Sequence, residues 1–302
     1  MNKLELQKYV EMNPRLIGLR SAGDGIFILK YKKRVFFDDL WNRFTEECRG
    51  TIVDKDFNIV SRPFTKIYNY GIEKRAPKLA PDTPVVAYRK VNGFMVAMTW
   101  YKDDILVSTT GSTDSPYTAF AKEQMLAEHS WDHWKNAVGI FDGYTLMFEC
   151  VHPTDPHIIP EEVGMYFLGW RRNDWNEKLD GYKFSNGDWA GYAEKMLKCK
   201  FPESFETTIG ELVALSKITK HEGFVFYTQD GQSAKIKTPH YLVSKFVARN
   251  PRTDKLMRAN IKETIDEEYY PLIDAIQANI EQYTAMDEQE RLTWVREFLE
   301  AK

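Results

Sequence analysis

The hydrophobic positions over about residues 1–240 follow strand patterns more often than helical ones. Short segments rich in β-branched and aromatic residues include "GIFILKYK", "GTIVD", "PVVAYRKVNGFMVAMTW", "DILVSTT", "YTLMFECV", "MYFLGWR", "GFVFYT" and "SAKIKT". Turn-forming residues separate several of these segments, as in "DKDFN", "YKDD" and "TQDGQ". Turn-forming residues between two strand segments are typical of hairpins. The pattern therefore predicts a mainly antiparallel sheet structure.

Helical periodicity interrupts the strands and then replaces them. The stretch "SPYTAFAKEQMLAEHSWDHW" offers Ser115 as a helix cap and Pro116 as the first helical residue, and "NGDWAGYAEKMLKC" and "TIGELVALSKI" have helical spacing. From about Tyr241 only helical patterns remain, with Pro271 as an expected break. We predict an α+β chain with one domain over residues 1–245 and a small all-helical C-terminal domain over residues 246–302.

Length and composition predict a soluble globular protein. The 302 residues are 43% apolar, which is enough for a sizeable core. No apolar run reaches the roughly eighteen residues of a membrane helix, and "MNKLELQKYVEMNP" lacks the apolar stretch of a signal peptide. The three cysteines have no metal-ligand spacing and are expected to be packing residues in a reducing compartment. These features predict a cytoplasmic protein that does not contact membranes.

Charge and aromatic content leave nucleic-acid binding open. A formal net charge of −3 gives no general attraction to a polyanion, so any nucleic acid must be bound in a local cationic groove. Aromatic residues make up 14% of the chain, which suits base stacking but is more commonly explained by a β-rich core.

Lys90, in "KVNG", is a candidate nucleophile with charged residues downstream. A lysine with an ordinary pKa of about 10.4 is almost wholly protonated at neutral pH, so it attacks an electrophile only when burial, cations or a metal favour the neutral amine. Glu149 and Glu222 lie in strand contexts, and the alternation of "AKIK" places Lys235 and Lys237 on one face of a strand. These residues are candidates for one site.

The ordered motifs "ECRG", "RPFTKIYNYG", "KVNG", "STTGS", "FECVHP", "HEGFVFY" and "AKIKT" resemble the bacteriophage RNA ligase 1 family of the covalent nucleotidyltransferase superfamily. The resemblance covers about residues 46–245, and order and spacing carry it, because each motif alone is common by chance. It implies a nucleotidyltransferase (ATP-grasp-like) domain of antiparallel sheets with flanking helices. It also implies an ATP-dependent RNA ligase that joins 5′-phosphate and 3′-hydroxyl ends.

The family resemblance implies a three-step reaction. Lys90 attacks the α-phosphorus of ATP to give lysyl-AMP and pyrophosphate, AMP passes to the RNA 5′-phosphate, and a 3′-hydroxyl then displaces AMP. Mg²⁺ is implied throughout. Lys235 and Lys237 would stabilise charge on the phosphates and favour the neutral amine of Lys90. Repair of broken RNA such as tRNA, phage or bacterial origin and a monomeric state are further expectations.

Further roles follow from the same resemblance. Glu149 would hold the ribose, and Glu222 would lie near the reacting nucleotide and help to place the metal through water. The remaining nucleotide or strand contacts would come from Arg49, Lys66, Tyr68, Asn92, Leu168 and Val225, with the two apolar residues sandwiching the adenine and the two cations binding phosphate.

Each of these residues also has a purely structural interpretation. The two glutamates would be partners of structural lysines, and Leu168 and Val225 would be core residues. Lys235 and Lys237 would be the solvated face of an edge strand, and Arg49 a capping or pairing residue. The motif order favours the functional interpretation.

Lys178 is a competing nucleophile, since "KLDG" matches the superfamily's lysine-x-Asp-Gly pattern. Its context argues against it, because Asp180 and Gly181 are typical of a hairpin tip. In addition, "RPFTKIYNYG" lies far upstream, and too little chain separates Lys178 from "HEGFVF" to hold the intervening strands. We therefore assign the nucleophile to Lys90.

Two positions depart from the family pattern. Asn92 stands where the family has Asp, which keeps a hydrogen-bonding side chain without its charge, and Thr110 stands where the family has a basic residue. The second departure means that one phosphate ligand is either missing or supplied from elsewhere. A catalytically silent relative that only binds nucleic acid, a DNA ligase and a capping guanylyltransferase therefore stay as alternatives. The cations of "KFVARNPRTDKLMRANIK" have two interpretations, an RNA-recognition surface or a solvated helix face. Removal of the tail from about residue 246 is expected to spare lysyl-AMP formation and to impair sealing of structured RNA.

Overall fold

The computed structural model describes residues 2–155, 157, 159–175, 188–249, 256, 258, 260–263 and 265–301. The competing lysine Lys178 lies outside the described residues. The chain forms two compact units, of which unit 1 comprises Met1–Lys66 and Gly93–Pro202 and unit 2 comprises Ile67–Asn92 and Glu203–Lys302. Each unit is therefore built from two separate stretches of sequence.

The regular elements follow one another as antiparallel strands and flanking helices. In chain order they are α1 (Lys3–Met12), β1 (Ile17–Ser21), β2 (Ile26–Tyr31), α2 (Lys33–Phe37), α3 (Arg43–Glu47), β3 (Arg49–Asp54), β4 (Ile59–Ser61), β5 (Pro84–Arg89), β6 (Phe94–Tyr101), β7 (Asp104–Ser108), α4 (Pro116–Glu128), α5 (Trp131–Gly139), β8 (Tyr144–Val151), β9 (Gly164–Arg172), α6 (Asp188–Leu197), β10 (Ser204–Thr208), α7 (Ile209–Ile218), β11 (Gly223–Thr228), β12 (Ser233–Lys237), α8 (Pro239–Arg249), α9 (Tyr270–Ala278), α10 (Ile280–Ala285) and α11 (Glu288–Glu300). Two 3₁₀ turns, Ile261–Glu263 and Glu267–Tyr269, precede α9.

The first sheet of unit 1 has the order β1-β2-β3-β4. Leu6 and Val10 of α1 pack into its apolar core. The register between β2 and β3 shifts at Gly50, an extra residue whose φ of +101° strongly favours glycine. Beyond this bulge Lys30 is paired directly with Arg49. The bulge therefore sets the position of one predicted phosphate ligand.

The second sheet of unit 1 has the order β7-β6-β8-β9, and α4, α5 and α6 contribute to the apolar core on one of its faces. The predicted cap at Ser115 and the first-turn Pro116 are confirmed. The predicted helical stretch is divided, because α4 ends at Glu128 and Ser130 caps α5. The described side chains of the core include Trp134 and Phe148, both fully buried.

Unit 2 contains a sheet of order β10-β5-β11-β12. Its buried face, with Phe224 and Phe226, packs against Ile209 and Leu212 of α7. The short segment 68–70 runs alongside β12, since the backbone N–H of Lys235 donates to the carbonyl of Tyr68 and the N–H of Tyr70 donates to the carbonyl of Lys235, both at 2.9 Å. A stretch of the "RPFTKIYNYG" motif thus continues this sheet.

The helices at the end of the chain belong to unit 2. Pro271 lies in the first turn of α9 and so begins a helix at the predicted break. The predicted domain boundary at residue 245 falls within α8, and the assignment of a separate C-terminal domain stays a prediction. None of the helices in the described ranges is both long enough and apolar enough to cross a bilayer. The predicted α+β class with antiparallel sheets and flanking helices is confirmed.

Candidate active site

Lys90 lies immediately after β5 and is held by both its backbone and its side chain. Its backbone N–H donates to the carbonyl of Gly223 at 2.8 Å, which extends the β5–β11 pairing by one residue. Its Nζ donates to Oε2 of Glu222 at 2.9 Å, with the lysine side chain 23% and the glutamate side chain 5% exposed. The backbone carbonyl of Glu222 in turn accepts from the N–H of Thr238. Two residues predicted to act together are therefore in direct contact.

The face of the unit 2 sheet opposite its apolar core carries Val225, Lys235 and Lys237. Val225 of β11 is paired on one side with Tyr88 and on the other with Lys235, and directly opposite residues of an antiparallel pair share a face. Lys237 lies two residues beyond Lys235 on the same face. Lys90 continues the alternation of β5 onto this face, two residues after Tyr88. The predicted common face of the two lysines is thus present in the fold.

Gly223, at the start of β11, lies against the backbone of β12. A Cβ built on this glycine would lie 2.0 Å from the carbonyl oxygen of Ile236, and the φ of the residue is +149°. Only glycine therefore fits between Lys90 and β12. This explains physically why a glycine follows Glu222 in the "HEGFVFY" motif.

An acidic turn from the helical part of unit 2 contacts Lys237. The ammonium of Lys237 is hydrogen-bonded to Oε1 of Glu268, whose side chain is 3% exposed. Nζ of Lys245 lies 3.4 Å from the same oxygen and 2.5 Å from Oδ2 of Asp266. Burial opposes ionisation of Glu268, but the ammonium groups of Lys237 and Lys245 outweigh it and lower the pKa of Glu268 to about 2. The carboxylate is therefore charged throughout the neutral range.

Tyr241 of α8 lies between the charged groups of this site. Its ring centroid is 5.6 Å from Nζ of Lys237 and 5.5 Å from Nζ of Lys245, which are cation–π distances. Burial raises the pKa of Tyr241 to about 12, and the carboxylate of Glu222 acts in the same direction. The neutral ring therefore packs against both ammonium groups. Tyr241 also interacts electrostatically with the ammonium of Lys90.

Glu149 lies in unit 1, on the buried strand β8. Its Oε1 accepts a hydrogen bond from the backbone N–H of Gly93 at 3.1 Å. A Cβ on Gly93 would lie 2.3 Å from the carbonyl oxygen of Cys150, so no side chain fits at this position. The glycine of "KVNG" is thus required by the close approach of β8. Asn92, the residue before it, belongs to unit 2 and is buried.

Arg49 and Lys66 both belong to unit 1, and Arg49 contacts the residue that precedes Lys66. Nη1 of Arg49 donates to the carbonyl of Thr65 at 3.4 Å. The ammonium of Lys66 lies 4.6 Å from the ring centroid of Trp41 and 5.6 Å from that of Phe36. The aromatic rings hold the lysine by cation–π contacts that leave its charge in place.

Unit 1 also contains a buried ionic network centred on Glu47. Glu47 of α3 is bonded by both carboxylate oxygens to Arg62, at 2.9 and 3.1 Å, and to Arg171, at 3.1 and 3.2 Å. All three side chains are buried. Burial opposes ionisation of Glu47, but Arg171 and Arg62 outweigh it and lower the pKa of this carboxyl. The network joins "ECRG", "RPFTKIYNYG" and the end of β9 in one place.

Leu168 and Thr110 occupy irregular positions in unit 1. Leu168 is the extra residue of a β-bulge, because Gly169 and Phe167 are paired with consecutive residues of β8. Next to Thr110, Nζ of Lys30 lies 2.7 Å from where a Cβ of Gly111 would be. A cation from β2 therefore lies beside the loop in which the sequence lacks the family's basic residue.

The predicted site residues are divided between the two units. Those of unit 2 are Lys90, Asn92, Glu222, Val225, Lys235 and Lys237, together with Tyr68. Those of unit 1 are Arg49, Lys66, Glu149 and Leu168. Sequence reasoning missed the buried arginine–glutamate network and the acidic partner of Lys237. Both connect residues that are far apart in sequence, and no local spacing indicates them.

The donor groups around Lys90 suit a metal that arrives with a nucleotide. No cluster of three or more His, Cys, Asp or Glu side chains suited to a metal occurs among the described residues. Mg²⁺ is commonly held by only one or two carboxylates together with phosphates and water. The carboxylate of Glu222, beside Lys90, could supply one ligand to such a metal.

The sequence profile of one family, described as RNA ligase, matches residues 47–246. The chain belongs to the RNA ligase family. The matched range contains Lys90, Glu149, Glu222 and both lysines of β12. The family and the enzyme class predicted from the ordered motifs are thereby confirmed. A search of curated protein sequences found no match.

Solved structures with the same fold include ligases from bacteria and archaea. The structure of a putative ATP-dependent DNA ligase from Aquifex aeolicus is 16% identical, with a TM-score of 0.58 over 97% of this chain and 77% of that one. Two forms of an archaeal ATP-dependent RNA ligase are 14% and 13% identical, with TM-scores of 0.57 and 0.59 over 97% of this chain and 75% of theirs. At these identities the likeness establishes the fold, which agrees with the nucleotidyltransferase-type architecture predicted above.

Proposed function

We propose that this RNA ligase uses ATP and joins a 5′-phosphate end to a 3′-hydroxyl end of RNA through lysyl-AMP and RNA-adenylate intermediates. The observation that carries the proposal is the contact of Lys90 with Glu222 beside the face that presents Lys235 and Lys237. Family membership supports the reaction class. The archaeal proteins of the same fold are ATP-dependent RNA ligases, which supports ATP as the nucleotide.

In the first step, Nζ of Lys90 attacks the α-phosphorus of ATP. A phosphorus–nitrogen bond forms, the bond between the α-phosphorus and the bridging oxygen breaks, and pyrophosphate leaves. The amine must lose a proton, and in this proposal Oε2 of Glu222, 2.9 Å from Nζ, would accept it. Because an adjacent carboxylate favours the ammonium form, we propose that Glu222 holds Lys90 charged until nucleotide binding changes the balance.

Two further steps complete the proposed reaction. An oxygen of the RNA 5′-phosphate attacks the AMP phosphorus, the phosphorus–nitrogen bond breaks and Lys90 takes back a proton. The 3′-hydroxyl oxygen of the second end then attacks the phosphorus of the adenylated 5′-phosphate. The phosphodiester bond forms, the phosphoanhydride bond to AMP breaks, AMP leaves, and the hydroxyl proton is released to solvent. Negative charge builds on phosphate oxygens in all three steps, and Lys235 and Lys237 would stabilise it.

The remaining residues have binding roles in this proposal. Glu149 would bind the ribose, Leu168 and Val225 would enclose the adenine, and Arg49 and Lys66 would bind pyrophosphate or strand phosphate. Asn92 and Tyr68 would be nucleotide or strand contacts. Mg²⁺ bound with the phosphates would neutralise part of their charge, and Glu222 would help to hold it through water.

The biological setting proposed for the enzyme follows from the family resemblance. We propose that it repairs broken RNA such as cleaved tRNA, that it is of phage or bacterial origin, and that it acts as a monomer in the cytoplasm. Cleaved tRNA halves are therefore the first natural substrates to test.

The test is sealing of a labelled RNA that carries a 5′-phosphate and a 3′-hydroxyl. With ATP and Mg²⁺ the wild-type protein should produce ligated RNA, whereas GTP in place of ATP and a DNA strand of the same sequence should give little product. Lys90→Arg, which keeps the charge, should abolish sealing, and Lys178→Arg should not. Binding of RNA without sealing would support a silent relative, and equal sealing of DNA would support a DNA ligase.

A further inference from the structure

Glu268 is a buried carboxylate that lies beyond the matched family region and yet contacts a residue within it. It belongs to the 3₁₀ turn Glu267–Tyr269, while Lys237 ends β12. Its Oε1 is hydrogen-bonded to the ammonium of Lys237, and both side chains are largely shielded from solvent. The helical part of unit 2 therefore supplies a charged group at the end of β12, which carries the two lysines proposed to bind phosphate.

The turn that carries Glu268 is fixed in place by its neighbours. The hydroxyl of Tyr269 donates to the backbone carbonyl of Leu242 at 2.7 Å, and its ring packs against Phe246 with 5.4 Å between centroids. On the other side, Nδ2 of Asn69 lies 3.4 Å from Oε1 of Glu267. The turn that carries Glu268 is thus anchored to α8 through Tyr269 and to the segment 68–70 through Glu267.

The ammonium groups around Glu268 keep its carboxylate ionised at neutral pH, so that it can accept a hydrogen bond from Lys237. Lys237 and Lys245 lower its pKa to about 2 despite burial, so it does not lose its charge at neutral pH. Lys245 is also paired with Asp266. A lysine has a long flexible side chain, and holding its ammonium in one position requires a rigid partner of this kind.

We propose that Glu268 is a positioning residue that holds the ammonium of Lys237 where it meets the phosphates of the nucleotide. The inference rests on the proposed function, since the position of Lys237 matters only if that lysine binds phosphate. It makes the acidic turn part of the adenylylation machinery. It also reverses the expectation that loss of residues 246–302 would spare lysyl-AMP formation.

The test uses the full-length protein and ATP labelled at its α-phosphate. Glu268→Gln should raise the ATP concentration needed for half-maximal lysyl-AMP formation by at least about tenfold, because it removes one partner of a buried charge pair. Glu268→Asp, which keeps the charge on a shorter side chain, should give a smaller defect. Glu281→Gln, the same charge change on the exposed side of α10, should match the wild type.

Two further measurements separate positioning from general destabilisation. In a Lys237→Ala background, Glu268→Gln should cause no additional loss of labelling. Acetylation of Lys237 by a small amine-reactive reagent, followed by mass spectrometry, should be several-fold faster in Glu268→Gln than in the wild type or in Glu281→Gln. If Glu268→Gln does not fold, the ATP dependence and the Lys237 acetylation rate are measured with Glu268→Asp instead.

The inference would be overturned, and the proposed function left intact, by one combination of results. The wild type would form lysyl-AMP, and Glu268→Gln would show the same ATP dependence and the same rate of Lys237 acetylation as the wild type. A lower ATP concentration for half-maximal lysyl-AMP formation in Glu268→Gln would also overturn it, since the carboxylate would then compete with phosphate for Lys237. Absence of any adduct on the wild-type protein would overturn the proposed function, and the role of Glu268 with it.

Discussion

Replacement of Glu47 by glutamine tests the buried network that organises the motifs of unit 1. The carboxylate makes two bidentate contacts, one with Arg62 and one with Arg171, and all three side chains are almost completely buried. Glutamine has nearly the same shape but no charge, and its NH₂ group would face guanidinium donors. The variant therefore retains packing and removes the charge that compensates two buried cations.

The expected cost is large because a buried ion pair that loses one partner leaves an uncompensated charge. Such changes typically cost about 3–5 kcal/mol. The matched control is Glu46→Gln, the same substitution on the neighbouring, less buried residue of α3, which we expect to cost less than about 1 kcal/mol. Urea unfolding followed by tryptophan fluorescence and circular dichroism, with the wild type and both variants in parallel, gives the comparison.

Acidification provides a second check on Glu47. Its pKa is lowered in the folded protein from an ordinary value of 4.5, so its stabilising effect is fully present above that value and is lost as the pH falls through the folded pKa. The stability difference between the wild type and Glu47→Gln should therefore shrink as the pH falls below about 4.5. A difference at neutral pH no greater than that of Glu46→Gln would refute the reasoning.

Three other substitutions test the close approaches and the acidic turn. Gly93→Ala would place a Cβ 2.3 Å from the carbonyl oxygen of Cys150, so it should displace β6 from β8, lower the melting temperature and reduce lysyl-AMP formation at least about tenfold. Gly223→Ala would place a Cβ 2.0 Å from the carbonyl oxygen of Ile236, at a φ of +149°, and should cost about 2 kcal/mol or more in urea unfolding. Glu268→Gln should cost about 3 kcal/mol near pH 7, since the lowering of the Glu268 pKa from 4.5 to about 2 corresponds to that free energy at 1.36 kcal/mol per unit. That difference should be fully present above pH 4.5 and should diminish as the pH falls from 4.5 to about 2, the pKa of Glu268 in the folded protein. A pH-independent difference would argue against the ion pair as its cause.

Local patterns in the sequence predicted the elements that carry the site. The alternation of "AKIK" correctly placed Lys235 and Lys237 on one face, because residues two apart in a strand point the same way. The cap at Ser115 was predicted for the same kind of local reason. The division between α4 and α5 was missed although Ser130 offers a cap of its own, since the helical periodicity continues across it.

Contacts between distant parts of the sequence could not be predicted in the same way. Glu268 meets Lys237 only because the chain passes through α8 and a turn before returning to β12. Glu47 likewise meets Arg171 across more than a hundred residues of sequence. Charge alone does not indicate such pairs, because most charged residues of a sequence are exposed. The cations of the tail suggested RNA recognition, whereas Lys245 among them is buried against acidic residues.

The measurement that tests the proposed chemistry most directly is the identity of the residue that carries AMP. The wild-type protein would be incubated with ATP and Mg²⁺, digested without exposure to acid, and its peptides sequenced by mass spectrometry, with Lys90→Arg as the control. We predict one adenylylated lysine, Lys90, and no adduct in the control. AMP on Lys178 or any other residue, or no adduct on the wild-type protein under conditions in which it seals RNA, would contradict the assignment of Lys90 as the nucleophile.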